Sequence, residues 1–338
     1  YSSAASDVYK RQDQFHEILE NRTRPLKAST MQNYRRVVRL RLTGTPLASM
    51  PLTEVTRGDV YRWWDDVQRD HPKAKTINQQ AYKRLRAAYA EAVRRQMVEV
   101  NPVDVPDAGR RVAPKEKYLP SDEELDAILK ALPDRYKALG SMVLHHGLRI
   151  GEALAVAVDD VVILPGPSPY LPPMEIRVRR NAQRIVGENG TYMHLQSPKT
   201  RAGVRDVPIM ATDVPLFLRH MARYTGPVVT ASSETGEVTL RPFTTTTAGQ
   251  LVFDTSFRSV LTRAEERAGV TTEIDPHCGR NWLITRLAEQ GAHLKEIGAL
   301  LGQDDVATIL DVYMKVRAGR TTTPVSYTHL RAHETDSY

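Results

Sequence analysis

The sequence predicts a mostly α-helical protein with a small β-sheet, divided into two domains. Its 338 residues, 41% of them hydrophobic, are enough for about two domains with cores of their own. Apolar residues recur at helical spacing in the first third, and short β-type runs occur only further along the chain. No apolar stretch is long enough to span a membrane, and a single cysteine cannot form an internal disulfide, so a cytoplasmic protein is expected.

Both ends of the chain resemble translated adapter DNA. Residues 7–12 read DVYKRQ, which is encoded by AGATGTGTATAAGAGACAG, a transposon end used in sequencing-library adapters. The reverse complement of that DNA encodes the VSYTHL of residues 325–330. We therefore expect residues 1–12 and 325–338 to be non-native and do not consider Tyr327 as a functional residue.

The first third is predicted to be a small helical bundle. Amphipathic helical spacing extends over residues 30–42, 56–68 and 76–96. Thr56 can cap the second helix, and Asn101-Pro102 stops the chain from continuing as a helix after the third. Trp63 and Trp64 are expected in the core of this bundle rather than at a ligand.

The excess positive charge of the chain lies in its first third. Residues 13–112 contain 19 Lys and Arg against 12 Asp and Glu, whereas residues 113–324 contain 25 of each. This asymmetry favours a polyanionic partner for the first third, although a solvated basic face has the same composition. Charge alone does not separate these two interpretations.

The rest of the chain is predicted to be mixed α and β. Residues 103–118, rich in charges and with no apolar period, are expected to be a linker. A capping box of Ser121 and Glu124 predicts the next helix. Helical pattern continues to His146, three β-type runs follow at residues 161–164, 175–178 and 204–209, and helices return from Ser256, broken at Gly269, Gly291 and Gly302.

Three short motifs contain residues with possible chemistry, but each is weak alone. Arg149 precedes Glu152 by one helical turn, which is the spacing of an ordinary surface ion pair. Lys199, in SPKT, has the setting of a solvated lysine at a hairpin tip. His277 and Arg280 are three residues apart and share a helical face.

Taken together and in order, these motifs resemble the tyrosine recombinase (phage integrase) family. The matching segments are GLRIGE at 147–152, PKT at 198–200, HCGR at 277–280, LLGQ at 300–303, and Tyr313 ten residues after Gln303. The resemblance covers nearly all of residues 13–320. It implies a helical core-binding (SAM-like) domain at residues 13–102 and a mixed α+β tyrosine-recombinase catalytic domain at residues 119–320.

The resemblance implies a site-specific recombinase that cleaves and rejoins duplex DNA through a 3′-phosphotyrosyl intermediate. Arg149 and Arg280 would bind the non-bridging phosphate oxygens, on which negative charge accumulates during cleavage. Tyr313 would be the nucleophile, and the covalent bond that it forms would conserve the energy for rejoining. The family needs neither a metal ion nor a nucleotide cofactor.

The resemblance also assigns the proton transfers. Lys199 would protonate the departing 5′-oxygen, His277 would accept or relay the proton of the nucleophile, and Glu152 would orient Arg149. Gln303 stands where family members usually have a histidine. Its amide can donate a hydrogen bond but carries no charge, so we expect weaker binding of the transition state.

Double-stranded DNA is the expected partner, bound by a homotetramer on synapsed DNA that is weakly associated or monomeric without it. Accessory DNA-bending or directionality proteins are compatible with the family, and a bacterial, phage or integrative-element origin is expected. DNA contacts in the first third are expected from Arg35, Arg36, Arg39, Lys83, Arg84 and Arg86.

Two alternative functions stay open on the residues alone. A type IB topoisomerase shares the same arginine, lysine and tyrosine chemistry but relaxes DNA without exchanging strands between sites. A catalytically weakened or inactive DNA-binding regulator is the other alternative, because Gln303 departs from the family pattern.

Other chemically reactive residues have simpler interpretations. Cys278 is expected to be a small core residue rather than a nucleophile. His145 and His146 are adjacent rather than one helical turn apart, so they are not expected to share a metal ion.

Overall fold

The computed structural model of the protein describes residues 26, 28–112, 118–168, 171–187, 190–272 and 274–320. The chain divides into two compact units, Tyr1–Glu116 and Lys117–Tyr338. The two adapter-like ends, including Tyr327, lie outside the described residues.

The first unit is a helical bundle, as the sequence predicts. Its described helices are α1 (Ala28–Arg41), α2 (Pro46–Ser49), α3 (Arg57–Asp70) and α4 (Lys75–Arg94). Thr56 caps α3: its hydroxyl accepts a hydrogen bond from the backbone N–H of Asp59, whose carboxylate accepts one from the N–H of Thr56. The predicted capping by Thr56 is therefore confirmed.

Aromatic side chains fill the centre of the first unit. Trp63 and Trp64 are both buried, and the ring of Trp64 lies edge-on to Tyr82 with the centroids 5.5 Å apart. The indole N–H of Trp63 donates to the backbone oxygen of Arg41 at 2.8 Å, so its polar atom is satisfied inside the core. The prediction that the paired tryptophans are core residues is confirmed.

The segment expected to be a linker is partly folded onto this core. Val103, Val105 and Ala108 are buried within the apolar cluster of the first unit. The hydroxyl of Tyr82 accepts a hydrogen bond from the N–H of Val105 at 2.9 Å and donates one to its carbonyl oxygen at 3.2 Å. Residues 103–108 are thus part of the bundle, because tertiary contacts hold a segment with no helical period. Residues 113–117 lie outside the described residues.

The second unit combines helices with two small sheets. Its described helices are α5 (Asp122–Ala131), α6 (Asp134–Leu144), α7 (Ile150–Leu154), α8 (Val214–Arg223), α9 (Asp254–Arg267), α10 (His277–Glu289), α11 (Leu294–Leu301) and α12 (Val306–Arg320). Ser121 and Glu124 form the predicted capping box of α5. None of the helices in the described ranges is both long and apolar enough to cross a bilayer.

The β-structure is more extensive than predicted. One antiparallel sheet has the order β1 (Val161–Ile163), β2 (Met174–Val178), β5 (Arg205–Pro208), which matches the three predicted runs. A second sheet has the order β3 (Asn181–Gly187), β4 (Gly190–Gln196), β6 (Val229–Ser233), β7 (Gly236–Leu240) and was not predicted as a whole. Its strands contain few fully buried residues, so the sequence shows little apolar alternation there.

Helix α10 lies directly against the end of α6 because Gly279 has no side chain. A Cβ atom at this position would lie 2.5 Å from Cα and the carbonyl oxygen of Leu144 and 2.5 Å from the carbonyl oxygen of Val143. These are backbone atoms, so they cannot rotate out of the way. The close approach brings the first turn of α10 next to the segment that leads into α7.

Candidate active site

Arg149 lies at the N-terminus of α7 and is paired with Glu152. Its Nη1 donates to Oε1 of Glu152 at 2.7 Å, and its backbone N–H donates to Oε2 at 3.1 Å. Its Nη2 lies 3.4 Å from the carbonyl oxygen of Gly302, in the loop after α11. The side chain of Arg149 is 41% exposed, so this guanidinium remains open to a ligand.

Glu152 is buried between two arginines. Its side chain is 3% exposed, and its Oε2 also accepts a hydrogen bond from Nη2 of Arg205 at 2.9 Å. Burial alone would raise the pKa of Glu152, but the charges and hydrogen bonds of Arg205 and Arg149 outweigh burial and hold its pKa below the ordinary value. The carboxylate is therefore charged at neutral pH.

Arg205 is a member of this cluster that the sequence analysis did not select. Its side chain is 5% exposed. Besides Glu152, it donates from Nε to the carbonyl oxygen of Leu300 at 2.7 Å and from Nη1 to that of Gly203 at 3.1 Å. The alternating pattern of strand β5 could have indicated this role. Arg205 and Val207 occupy its buried positions, and an arginine at a buried position needs partners for its charge.

Arg280 lies one turn into α10 and is almost fully buried, with 2% of its surface exposed. Its Nη1 donates to the carbonyl oxygen of Gly147 at 3.2 Å, and its Nη2 donates to Oε1 of Gln303 at 3.1 Å. Burial, together with the positive charge of Arg149, lowers the pKa of Arg280 to about 9. A bound anion would counter that shift.

Three arginines therefore lie around Glu152: Arg149 and Arg205 are hydrogen-bonded to its carboxylate, and Arg280 is near enough to interact with it through charge. The net charge of this cluster is positive, and two of the arginines are buried. Positive charge inside a protein is unfavourable unless an anion neutralises it, and guanidinium groups match the oxygens of a phosphate diester. The arrangement is suited to bind and stabilise a phosphate group.

Lys199 is exposed and lies on the connection between β4 and β5. The expectation of a hairpin tip is wrong, because β4 pairs with β3 and β6 while β5 pairs with β2 in the other sheet. The connection continues into a short 3₁₀ turn, Arg201–Gly203, that packs on Gly302. A Cβ atom at position 302 would lie 2.7 Å from the carbonyl oxygen of Ala202. The Lys199 connection thus returns to the loop that carries Gln303.

His277 and Tyr313 lie on the helices next to the cluster. His277 is the first residue of α10, one turn before Arg280, and is exposed. Tyr313 is half-buried on α12, where it packs against an apolar cluster that includes Leu283 and Ile284 of α10. The helix that carries Arg280 therefore also supports the proposed nucleophile. The convergence of Lys199, His277 and Tyr313 on one phosphate stays a prediction.

The basic residues expected to contact DNA differ in their surroundings. Five of the six are exposed: Arg35, Arg36 and Arg39 on α1, and Lys83 and Arg86 on α4. Arg84 is half-buried, with its guanidinium carbon 3.9 Å from the centroid of the Tyr34 ring. Arg86 also lies 3.9 Å from a carboxylate oxygen of Asp104. Arg84 therefore links α1 to α4, which is a structural role that the sequence did not indicate.

Cys278, His145 and His146 contact residues of the protein interior. Cys278 is buried in an apolar cluster, as expected. Asp213 accepts hydrogen bonds from Ser141 at 2.6 Å and from Nδ1 of His145 at 3.0 Å, and Nε2 of His146 accepts one from a backbone N–H at 3.0 Å. In the described ranges no three His, Cys, Asp or Glu side chains are grouped as ligands for a metal ion.

Comparisons with known proteins show which sequences this chain is similar to. No family model matches the chain. The tyrosine recombinase XerC-like protein of Caldanaerobacter subterraneus is 25% identical over 302 residues, which are 86% of this chain and 75% of that protein. The chain spans 50 to 62% of the length of mycobacterial phage and prophage integrases that it also matches.

Solved structures share the fold. The Tn1549 transposon integrase in complex with a circular intermediate DNA superposes with a TM-score of 0.69 at 20% identity, covering 91% of this chain and 98% of that one. The phage lambda integrase tetramer bound to a Holliday junction superposes with a TM-score of 0.58 at 17% identity, over 90% of this chain and 76% of that one. The chain therefore has the fold of these two integrases. Its sequence relatives are named tyrosine recombinases and phage integrases, as its motifs predict.

Proposed function

We propose that this chain is a site-specific DNA recombinase that cleaves and rejoins duplex DNA through a covalent 3′-phosphotyrosyl intermediate. The observation that carries the proposal is the cluster of Arg149, Arg205 and Arg280 around the single carboxylate of Glu152. A site with this excess of positive charge stabilises the additional negative charge that a phosphate diester acquires during substitution at phosphorus.

Two of the arginines and Gln303 are the proposed phosphate ligands. Arg149 is accessible to DNA, and Arg280 keeps N–H groups beyond the two that bind Gly147 and Gln303. Because the oxygen of the Gln303 amide accepts from Arg280, the NH₂ end of that amide is the end left to donate to a phosphate oxygen. Gln303 would then replace the family histidine as a neutral donor.

The chemistry proposed for Tyr313 is a reversible substitution. Its phenol oxygen bonds to the scissile phosphorus while the bond from phosphorus to the 5′-oxygen breaks, which leaves the 3′-phosphate attached to the protein. His277 accepts the phenol proton, and Lys199 donates a proton to the departing 5′-oxygen. Rejoining is the reverse, with a 5′-hydroxyl as the nucleophile. No step of this scheme requires a metal ion or nucleotide cofactor.

Duplex DNA is the proposed partner of both units. The exposed arginines and lysine of α1 and α4 supply positive charge for phosphate contacts in the first unit. A homotetramer on synapsed DNA is proposed as the active assembly, supported by the tetrameric lambda integrase of the same fold. From the family resemblance we also propose that accessory proteins assist the reaction and that the protein acts in the cytoplasm.

Trapping of the covalent intermediate tests the function. DNA that the protein binds would be selected from a random duplex library, nicked beside the candidate cleavage positions, and incubated with the chain. We expect a protein–DNA adduct on a denaturing gel that is lost in Tyr313→Phe and retained in Tyr327→Phe, which alters the tyrosine of the adapter-like end. Binding without an adduct would favour the regulator, and relaxation of supercoiled plasmid without strand exchange would favour a type IB topoisomerase.

A further inference from the structure

We propose that Arg205 is a positioning residue of this reaction: it holds the carboxylate that orients Arg149 and ties the Lys199 connection to the Gln303 loop. The inference rests on the proposed recombinase function and extends it to a residue outside the motif segments named above. All three nitrogens of the Arg205 guanidinium are bound to acceptors within the protein, so we argue that its effect acts through these neighbours.

The first part of the argument concerns Glu152. Its two carboxylate oxygens are bound by different guanidinium groups, Oε1 by Nη1 of Arg149 and Oε2 by Nη2 of Arg205. Arg205 therefore fixes the plane of the carboxylate, and that plane fixes the direction of the Arg149 side chain. Without Arg205, the only charged side chain hydrogen-bonded to the buried carboxylate among the described contacts would be Arg149, which is itself 41% exposed.

The second part concerns the segments that Arg205 joins. Arg205 follows the Arg201–Gly203 turn of the Lys199 connection, and its Nη1 binds the carbonyl oxygen of Gly203. Its Nε binds the carbonyl oxygen of Leu300, in the last turn of α11 and three residues before Gln303. One side chain thus joins α7, the Lys199 connection and the end of α11, which lead to or carry the proposed catalytic residues Arg149, Lys199 and Gln303.

The third part concerns the choice of arginine. The three acceptors, Glu152, Gly203 and Leu300, are reached by three different nitrogen atoms of one planar guanidinium. A lysine at this position would keep the positive charge, but its three N–H groups share one nitrogen and cannot reach three acceptors that are spread around a planar guanidinium. Arg205→Lys therefore separates the geometric role of the residue from its charge.

The test measures adduct formation by Arg205→Lys on two nicked duplexes. One has the ordinary 5′-oxygen at the scissile position and the other has a bridging 5′-sulfur, whose thiolate leaves without needing a proton. On the ordinary duplex we expect about a hundredfold slower adduct formation, the size of effect that a misplacement of about 1 Å produces. On the sulfur duplex the loss should be clearly smaller, because the contribution of Lys199 is bypassed.

The two substrates make the outcome independent of folding. Both rates come from one preparation, so their ratio does not change with the folded fraction of the variant. Arg177→Lys is the matched control, since Arg177 pairs with Glu175 on the exposed side of β2, and it should behave as the unaltered chain does on both duplexes. If Arg205→Lys slowed adduct formation equally on both duplexes, the proposed effect of Arg205 on Lys199 would be overturned.

A double variant tests the action through Glu152. If Arg205 acts by holding this carboxylate, the combined loss in Glu152→Gln/Arg205→Lys should be much smaller than the product of the single losses. If the loss in the double variant equalled the product of the two single losses, the proposed action of Arg205 through Glu152 would be overturned. No adduct from the unaltered chain would overturn the proposed recombinase function together with this inference, whereas an Arg205→Lys variant of full activity would overturn this inference alone.

Discussion

The side-chain oxygen of Gln303 accepts a hydrogen bond from Nη2 of Arg280 at 3.1 Å. Since a guanidinium only donates, this contact decides the orientation of the amide: its oxygen faces the arginine and its NH₂ group faces away. The two residues lie 23 positions apart, on α10 and on the loop between α11 and α12. A glutamine can therefore hold Arg280 in place and still present a donor.

Changing Gln303 to glutamate should therefore lower DNA cleavage while keeping the contact with Arg280. The new carboxylate would still accept from the guanidinium, but it would replace the NH₂ donor by a negative oxygen that repels phosphate. Loss of one donor to the developing oxyanion reduces the rate by about a hundredfold or more. Single-turnover adduct formation by Gln303→Glu measures this effect.

Gln303→His is the matched control, because it restores the residue that the family resemblance leads us to expect. This variant should cleave at least as fast as the unaltered chain. If Gln303→Glu cleaved at full rate, the amide would have no contact with the phosphate.

The pKa of Glu152 predicts a pH dependence of stability. A carboxyl group whose pKa is lowered by folding stabilises the protein above its ordinary value of 4.5, and this stabilisation is lost as the pH falls through the folded-state pKa. Glu152→Gln should lower the free energy of unfolding by about 3 kcal/mol at neutral pH, because it removes one partner of a buried ion pair. The difference should shrink as the pH falls below 4.5.

Denaturant unfolding of both proteins at several pH values measures this difference. Glu175→Gln is the control, since Glu175 pairs with Arg177, whose side chain is 44% exposed, and it should cost no more than about 0.5 kcal/mol. A difference for Glu152→Gln that grows toward acid would contradict the assigned direction of the pKa.

Gly302 should be much less tolerant of alanine than Gly269. Both glycines have positive φ angles, +61° and +71°, so each substitution costs about 1 kcal/mol of backbone strain. A Cβ atom at Gly269 meets no atom within 4 Å, whereas at Gly302 it would lie 2.7 Å from the carbonyl oxygen of Ala202 and 3.0 Å from Cα of Gly203. Gly302→Ala should therefore be the more destabilising substitution.

Thermal unfolding compares the two alanine variants directly. Gly302→Ala should also slow adduct formation, because the new methyl group pushes the Lys199 connection away from the Gln303 loop. Gly269→Ala should cleave DNA as the unaltered chain does. Equal effects of the two substitutions on stability and cleavage would contradict the close packing at Gly302.

Arg39 and Arg84 should affect DNA binding differently. Arg39 is exposed on α1, so Arg39→Ala should weaken binding and reduce the slope of log affinity against log salt by about one. Arg84 stacks on Tyr34, so Arg84→Ala should instead lower the free energy of unfolding by about 0.5–1 kcal/mol.

Fluorescence anisotropy over a salt series and denaturant unfolding measure the two effects. Arg69→Ala is the control for charge alone, since Arg69 is exposed on α3 and paired with Asp66 and Asp70. This control should leave the salt slope unchanged. An unchanged slope for Arg39→Ala would remove α1 from the proposed DNA-binding surface.

Features with local causes were predictable from the sequence. Thr56 and Ser121 cap their helices through side chains that reach three residues ahead, and Gly302 ends α11 in the left-handed conformation that glycine tolerates. The pairing of Arg149 with Glu152, one helical turn apart, has the same local origin.

Features that depend on distant residues were not predictable. The partner of Glu152 that was missed, Arg205, is 53 positions away, and Asp213 is 68 positions from His145. Both pairs form only after the strands and helices have packed. The second sheet was missed for a related reason, because its strands pair mainly through backbone groups and bury few side chains.

The contact of Gly279 with the backbone of α6 restricts which residues this position can accept. Even the smallest side chain would separate the two helices and move Arg280 away from its carbonyl partner at Gly147. If all twenty amino acids were introduced at codon 279 and the survivors selected for recombination, only glycine should remain. Cys278, in contrast, packs among ordinary apolar side chains, so a neighbouring codon should accept several small residues.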